Sequence, residues 1–112
     1  MTTISSVRTY CLSLPQTTEA PHFNYSSFRV AGKIFVTVPP EETHIHVFVG
    51  EQERETALAV APEALEKLFW GQRVLGLRVN LALLREPMLR QLLRQAWRHK
   101  APKKLATTAL PD

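Results

Sequence analysis

This chain of 112 residues is predicted to fold as an α+β domain, on three observations. Apolar residues recur at helical spacing before Pro15, β-branched and aromatic residues alternate between Phe23 and Val49, and a strongly amphipathic stretch runs from Glu86 to Lys104. Helices at the two ends of a strand-rich region can pack on one face of an antiparallel sheet. The predicted architecture is therefore a two-layer sandwich with the N- and C-terminal helices on the same face.

The first predicted helix can be capped by any of three hydroxyl residues, Thr2, Thr3 or Ser5. Its apolar positions keep helical spacing at Ile4, Val7, Cys11 and Leu14. Cys11 therefore points toward the core, where a thiol without a nearby cation is inert packing. A nucleophilic cysteine would need a histidine and an acid brought to it from distant parts of the chain.

Three antiparallel strands are predicted between Phe23 and Val49, after a polar connector from Gln16 to Pro21. The first two, SSFRV and KIFVTV, form a hairpin in which Gly32 supplies the positive φ of a tight turn. The third strand, HIHVFVG, alternates an apolar face with a face that carries His44, His46 and Phe48. Two histidines on one side of a strand are half of a metal site, and without a clear third ligand no metal is predicted.

The region after the sheet is predicted as an acidic short helix at Glu51–Val60, followed by a late strand within Gln72–Ala82. The segment from Pro62 to Gly71 is compatible with a helical turn or an irregular crossing. Phe69 and Trp70 in that segment are predicted to belong to the core, and the alternative is an aromatic surface on which bases stack. Arg78 projects from the polar face of the late strand.

The last helix starts near Glu86 and Pro87 and ends before Pro102. Its apolar half carries Met88, Leu89, Leu92, Leu93, Ala96 and Trp97, and the opposite half carries the row Arg90, Arg94 and Arg98. On a helical wheel, Trp97 falls at the border of the two halves, within reach of a cation–π contact from Arg94. Residues 1–105 are predicted to form a single domain and residues 106–112 a flexible tail.

Charge is distributed unevenly along the chain. Residues 1–60 carry four Lys/Arg against six Asp/Glu, whereas residues 61–112 carry ten against four. Clustered Lys and Arg displace the counterions condensed on a phosphate backbone, so the second half is the candidate for contact with polyanions. The alternative explanation is that this charge only maintains solubility.

The chain is expected to be cytoplasmic. It has one cysteine, no basic start followed by an apolar run, and no apolar segment approaching the ~18 residues of a membrane span. Neither a signal peptide nor a membrane anchor is predicted.

Several short motifs resemble those of the MmcQ/YjbR family of small bacterial proteins. They are Phe28-Arg29-Val30 with Gly32-Lys33 and Phe35, the strand ending at Leu81, Ala96-Trp97-Arg98, and Ala101-Pro102-Lys103-Lys104. The similarity extends from about Val7 to Leu105. It implies a fold like that of frataxin and the CyaY proteins, and DNA binding by a "double wing" of sheet loops.

The chain also departs from that family. Its Leu75-Gly76-Leu77-Arg78-Val79 segment lacks a tryptophan typical of relatives, and KLFWGQRV replaces the usual approach to the late strand. Iron binding of the frataxin kind is not expected, because the first helix has no Asp or Glu between Met1 and Leu14.

The function predicted from these features is weak, non-enzymatic DNA binding through the phosphate backbone, without a cofactor. The alternative is a protein- or small-ligand-interaction module, or a homodimer, that uses the open face of the sheet. An enzyme is not expected, because no phosphate-binding Gly-rich loop or nucleophile elbow is present. The candidate nucleic-acid-binding residues are Arg29, Lys33, Arg73, Arg78, Arg90, Arg94, Arg98, Lys100, Lys103 and Lys104.

Overall fold

The computed structural model describes residues 2–111 and confirms the α+β class, with six antiparallel strands and four helices. Met1 and Asp112, the outermost residues of the predicted domain and tail, lie outside the described residues. No helix within residues 2–111 combines the length and the apolar composition needed to cross a bilayer. In chain order the elements are α1 (Ile4–Ser13), β1 (Thr17–His22), β2 (Tyr25–Val30), β3 (Lys33–Val38), β4 (His44–Val47), α2 (Glu51–Val60), β5 (Leu65–Trp70), β6 (Arg73–Asn80), α3 (Glu86–Lys100) and α4 (Lys103–Ala106).

The strands lie in the order β1-β2-β3-β4-β6-β5, and each neighbouring pair is antiparallel. The sequence does not predict β1 or β5, which are the two edges of the sheet. The prediction of a polar connector at Gln16–Pro21 is wrong, because this segment forms most of β1. Strand β1 pairs with β2 from Thr17, opposite Val30, to His22, opposite Tyr25. Backbone hydrogen bonds to β2 give this segment a strand conformation that its polar side chains do not favour.

A continuous apolar core lies between the sheet and helices α1, α2 and α3. The register of β2 against β3 shifts between Phe28 and Arg29. A bulge of this kind allows two consecutive residues to face the same side. Phe35 and Val36 are accordingly both fully buried, where strict alternation would send one of them to the open face.

Helix α1 is capped by Thr3, one of the three residues that the sequence allows as the N-cap. The Thr3 hydroxyl accepts a hydrogen bond from the Ser6 backbone N–H, and the Ser6 side chain accepts one from the Thr3 N–H. Cys11 is fully buried, which confirms its predicted inward position. Burial raises the pKa of the Cys11 thiol far above its ordinary value, so the reactive thiolate is suppressed.

Helix α3 confirms the predicted apolar face, because Leu89, Leu92, Leu93, Ala96 and Trp97 are buried. Trp97 is not at a border between faces: it is fully enclosed, and its Nε1–H donates to the Pro15 carbonyl at 3.1 Å. A buried indole N–H normally has such an acceptor. This contact ties α3 directly to the end of α1.

Gly76 of β6 leaves no room for a side chain beside the backbone at the end of β4. A Cβ at this position would lie 2.1 Å from the Val47 carbonyl oxygen, far inside contact distance. We expect Gly76→Ala to lower the free energy of unfolding by about 3 kcal/mol, the upper part of the range for overpacking. Urea denaturation measures the change.

The matched control is Gly50→Ala, whose new Cβ would meet the end of the flexible Glu53 side chain. That carboxylate can move, so we expect a change within about 1 kcal/mol. Equal stabilities of the two variants would contradict the close approach of the strands at Gly76.

Candidate nucleic-acid interface

The two tight hairpin turns that precede β3 and β6 lie at the same end of the sheet. Ala31–Gly32 joins β2 to β3, and Gly71–Gln72 joins β5 to β6. Because β3 and β6 both pair antiparallel with β4, they run in the same direction and begin at the same edge of the molecule. Gly32 has φ +84° and Gly71 has φ +62°, values that favour glycine. We call residues 31–33 and 69–73 the hairpin end.

The C-terminus of α3 reaches the hairpin end as well. Strand β4 runs toward this end, and Phe48 and Gly50 follow it directly. The Lys100 Nζ lies 5.9 Å from the centroid of the Phe48 ring, a cation–π contact. A Cβ at Gly50 would be 3.5 Å from the His99 Nδ1. The short helix α4 starts three residues after α3 ends and packs against α3.

Basic side chains without an acidic partner gather here. Within residues 2–111, ion pairs of 4 Å or less engage Arg8, Arg54, Lys67, Arg78 and Arg90. Nine others make no such pair with a described acidic residue. Of these nine, Arg29, Arg94 and Arg98 donate to other protein acceptors, and Arg85 directly precedes α3. We call the remaining five the cationic set: Lys33, Arg73, Lys100, Lys103 and Lys104.

The cationic set spans both turns and the end of α3. Lys33 and Arg73 are exposed first residues of β3 and β6, which lie about 10 Å apart because β4 separates them. Glu51 and Glu53 in the first turn of α2 follow Gly50 and reduce the positive charge locally.

The exposed aromatic pair of the hairpin end corrects a prediction. Phe69 and Trp70 are predicted as core residues, yet they are 57% and 75% exposed. The reason is that Pro62–Gly71 contains the edge strand β5, whose last residues extend to the turn at Gly71. Sequence reasoning favours the core over the alternative of an exposed aromatic surface, and so leaves Trp70 out of the candidate site residues. The available signal was a glycine between two strand-like runs, which is typical of a hairpin tip.

Two of the predicted site residues, Arg29 and Arg78, are engaged on the open face of the sheet. Arg29 donates from Nε to the Ser27 hydroxyl at 3.1 Å and from Nη2 to the Pro21 carbonyl at 3.3 Å. Arg78 donates from Nη1 to a carboxylate oxygen of Glu66 at 3.0 Å. Both guanidinium groups are thus already engaged by protein acceptors on the open face.

The three arginines of the row on α3 contact other parts of the same chain. Arg90 lies over the Tyr10 ring with its Cζ 5.4 Å from the centroid, and it pairs with Glu86 at 3.5 Å. Arg94 donates to the Tyr10 hydroxyl at 3.0 Å. Arg98 donates to two backbone carbonyls of the C-terminal segment, at 2.6 and 2.9 Å. These three residues connect α3 to α1 and to the end of the chain.

The C-terminal segment, for which the sequence predicts a flexible tail at 106–112, makes specific contacts. The carbonyls that Arg98 engages belong to Ala106 and Thr108. Leu110 packs against the core, and the Pro111 carbonyl accepts a hydrogen bond from the Tyr10 hydroxyl. Through Pro111, this segment therefore covers part of the arginine row.

A groove of about 500 Å³ lies elsewhere, between α2 and α3. Its lining is largely apolar and includes Ala57, Leu84, Met88 and Leu92. The groove contains no member of the cationic set, so it is separate from the hairpin end.

Comparison with known proteins identifies the family. The model of the YjbR family matches residues 12–99, which is most of the chain. The chain belongs to the YjbR family. None of the curated proteins compared with it matches.

A solved structure shares the fold of this chain. The chain is similar to protein DR2400 of Deinococcus radiodurans, which is described as a DUF419 domain. The TM-score is 0.74 at 18% identity, and the match covers 88% of this chain and 78% of that one. At this identity the similarity establishes a shared fold.

The open face of the sheet in this YjbR-family chain carries the two histidines of β4, which the sequence predicts as the third strand. Ile45, Val47 and Val49 are buried, so His44 and His46 lie on the opposite face, as the alternation predicts. No group of three or more metal-ligating side chains comes together among residues 2–111. The His46 Nδ1 lies 3.3 Å from the Thr37 hydroxyl.

The pKa of His46 is lowered below its ordinary value, first by burial and then by the charges of Arg78 and His44. The unfolded chain therefore binds a proton at a pH where the folded chain resists it. Stability must fall as the pH drops through the ordinary histidine pKa of about 6.5. We expect His46→Gln to weaken the loss of stability seen by urea denaturation between pH 7.5 and pH 5.5.

The control for His46 is His99→Gln, a change at an exposed imidazole. We expect it to preserve the wild-type dependence of stability on pH. If both variants or neither flattened that dependence, His46 would not be its source.

Proposed function

We propose that this YjbR-family chain is a non-catalytic protein that binds DNA weakly, through contacts between its hairpin end and the phosphate backbone. The observation that carries the proposal is the cationic set, the basic side chains of the two turns, of the end of α3 and of α4 that pair with no described acidic residue. Phosphate contacts from Lys and Arg provide affinity without sequence information. Binding should therefore be sensitive to salt and poorly specific. Such a role accords with the cytoplasmic location expected from the sequence.

The remaining candidates contribute less in this proposal. Arg29, Arg78, Arg94 and Arg98 each already donate a hydrogen bond to a protein acceptor. A phosphate would have to displace that acceptor, and the new interaction would replace an existing one. Lys33 and Arg73, in contrast, can exchange water for phosphate.

A second candidate function uses the open face of the sheet as a binding surface for a protein or a second copy of the chain. It is favoured by a polar row across three strands on the face opposite the helices, in which Thr37 is buried and His46 and Arg78 are half-buried. Light scattering across a range of concentrations measures whether the chain associates with a second copy. A strict monomer would count against self-association through the open face.

The hairpin end is tested by Lys33→Ala/Arg73→Ala. Fluorescence polarisation with a short labelled duplex, repeated at increasing salt, gives the slope of log affinity against log salt. Loss of two phosphate contacts should reduce the steepness of that slope by about 2 and weaken binding at low salt.

A charge-matched control is Lys67→Ala/Arg85→Ala, which removes two exposed cations away from the hairpin end. We expect its salt slope to match the wild type. Equal slopes for the two double variants would mean that the change in salt dependence comes from the loss of net charge and not from contacts at the hairpin end. Absence of binding by the wild type at low salt would refute the proposed function.

The arginine row is tested by Arg98→Ala. Because Arg98 holds the carbonyls of Ala106 and Thr108, we expect faster amide hydrogen exchange in residues 106–111. The salt slope of duplex binding should change by less than about 0.5, compared with about 0.9 for Arg73→Ala. A slope change equal to that of Arg73→Ala, with unaltered exchange, would assign Arg98 to phosphate instead.

A further inference from the structure

Trp70 is a large aromatic side chain in a position that folding does not require. Its indole is 75% exposed, although tryptophan is among the residues that gain most from burial. The other tryptophan, Trp97, is fully enclosed in the core. The single exposed indole of the described chain is therefore presented to solvent at a hairpin tip.

Trp70 has a cation beside it. It is the cross-strand partner of Arg73 across the two-residue turn Gly71–Gln72. Partners of this kind project from the same side of a hairpin, with their Cβ atoms about 5 Å apart. An aromatic plane and a guanidinium are thus placed together on one side of the tip.

The neighbouring Phe69 does not extend this surface into a broad apolar patch. Successive residues of a strand point to opposite faces, so Phe69 and Trp70 project from opposite sides of the hairpin. A single indole next to a cation matches the size of one base with its phosphate. Insertion into a membrane or burial in a protein interface would favour a contiguous apolar surface.

We propose that Trp70 stacks on an unpaired base of single-stranded nucleic acid while Arg73 holds an adjacent phosphate. This inference rests on the proposed nucleic-acid binding and names the form of nucleic acid that the hairpin end prefers. Stacking on an aromatic side chain tolerates any base, because each base has a π-face. In a duplex the bases are already stacked on one another, so Trp70 has no partner there.

The two tryptophans allow binding to be followed directly. Trp97 donates its Nε1–H to Pro15 inside the core, which shields it from solutes. Iodide should quench Trp70 and leave Trp97 emitting. Addition of oligo(dT) should quench the Trp70 contribution and protect it from iodide, with Trp97 as an internal reference.

The experiment compares oligo(dT) and duplex binding for the wild type, Trp70→Ala and Phe23→Ala. Phe23 is the matched control, since it is 92% exposed and lies at the β1–β2 turn, at the opposite end of the sheet. Trp70→Ala should weaken oligo(dT) binding about tenfold and leave duplex binding and the salt slope unchanged. Trp70→Phe should recover part of the loss, and Phe23→Ala should match the wild type. Emission from Trp97 verifies that Trp70→Ala is folded.

The outcomes separate this inference from the function on which it rests. Unchanged oligo(dT) affinity in Trp70→Ala, with duplex binding intact, would overturn the stacking role alone. Failure of the wild type to bind either nucleic acid at low salt would overturn both. Quenching of Trp70 by anionic phospholipid vesicles but not by oligo(dT) would assign the tip to a membrane surface and overturn the inference.

Discussion

The burial of Trp97 is the contact on which the arrangement of this domain depends. Its indole fills the space between α3 and the sheet, and its N–H reaches the Pro15 carbonyl just beyond α1. One side chain thereby fixes α3 against both the core and the first helix. Because α3 is held along its length, its last residue, Lys100, is delivered to the same end of the molecule as the two tight turns. The proposed interface is in this sense a consequence of core packing.

The two faces of α3 perform different tasks, and the arginine face is not the simple solvated surface that a helical wheel suggests. The apolar face packs on the sheet. The arginine face contacts α1 through Tyr10 and the end of the chain through the carbonyls of Ala106 and Thr108. The cations left for an external partner lie at the end of the helix and on the turns, and Trp70 adds an aromatic surface beside one of them.

Prediction from sequence succeeds for the elements that bury one side and fails for those that bury little. Helices α1 and α3 and the β2–β3 hairpin each bury one side, so their apolar residues repeat with a clear period. Helix α2 is predicted instead from its acidic first turn. The strands β1 and β5 form the edges of the sheet, where little burial acts on side chains, and segments such as TTEAPH carry no alternating apolar pattern. The exposure of Trp70 follows from that missed edge strand. The hydrogen bonds from Arg98 to the C-terminal segment require the chain to turn back after Pro102. Helical periodicity does not predict such a turn.

The hydrogen bond between Tyr10 and Pro111 joins residues 101 positions apart, and Arg94 binds the same hydroxyl. Contacts that close such long loops form late, since their entropic cost precedes any gain. During synthesis the β1–β2 and β2–β3 hairpins can pair as soon as they emerge. Helix α1 can pack on β1 early, but it gains its contacts with α3 and with the last residues only after those segments have been synthesised. The first helix to leave the ribosome is thus fully secured only by the last residues of the domain.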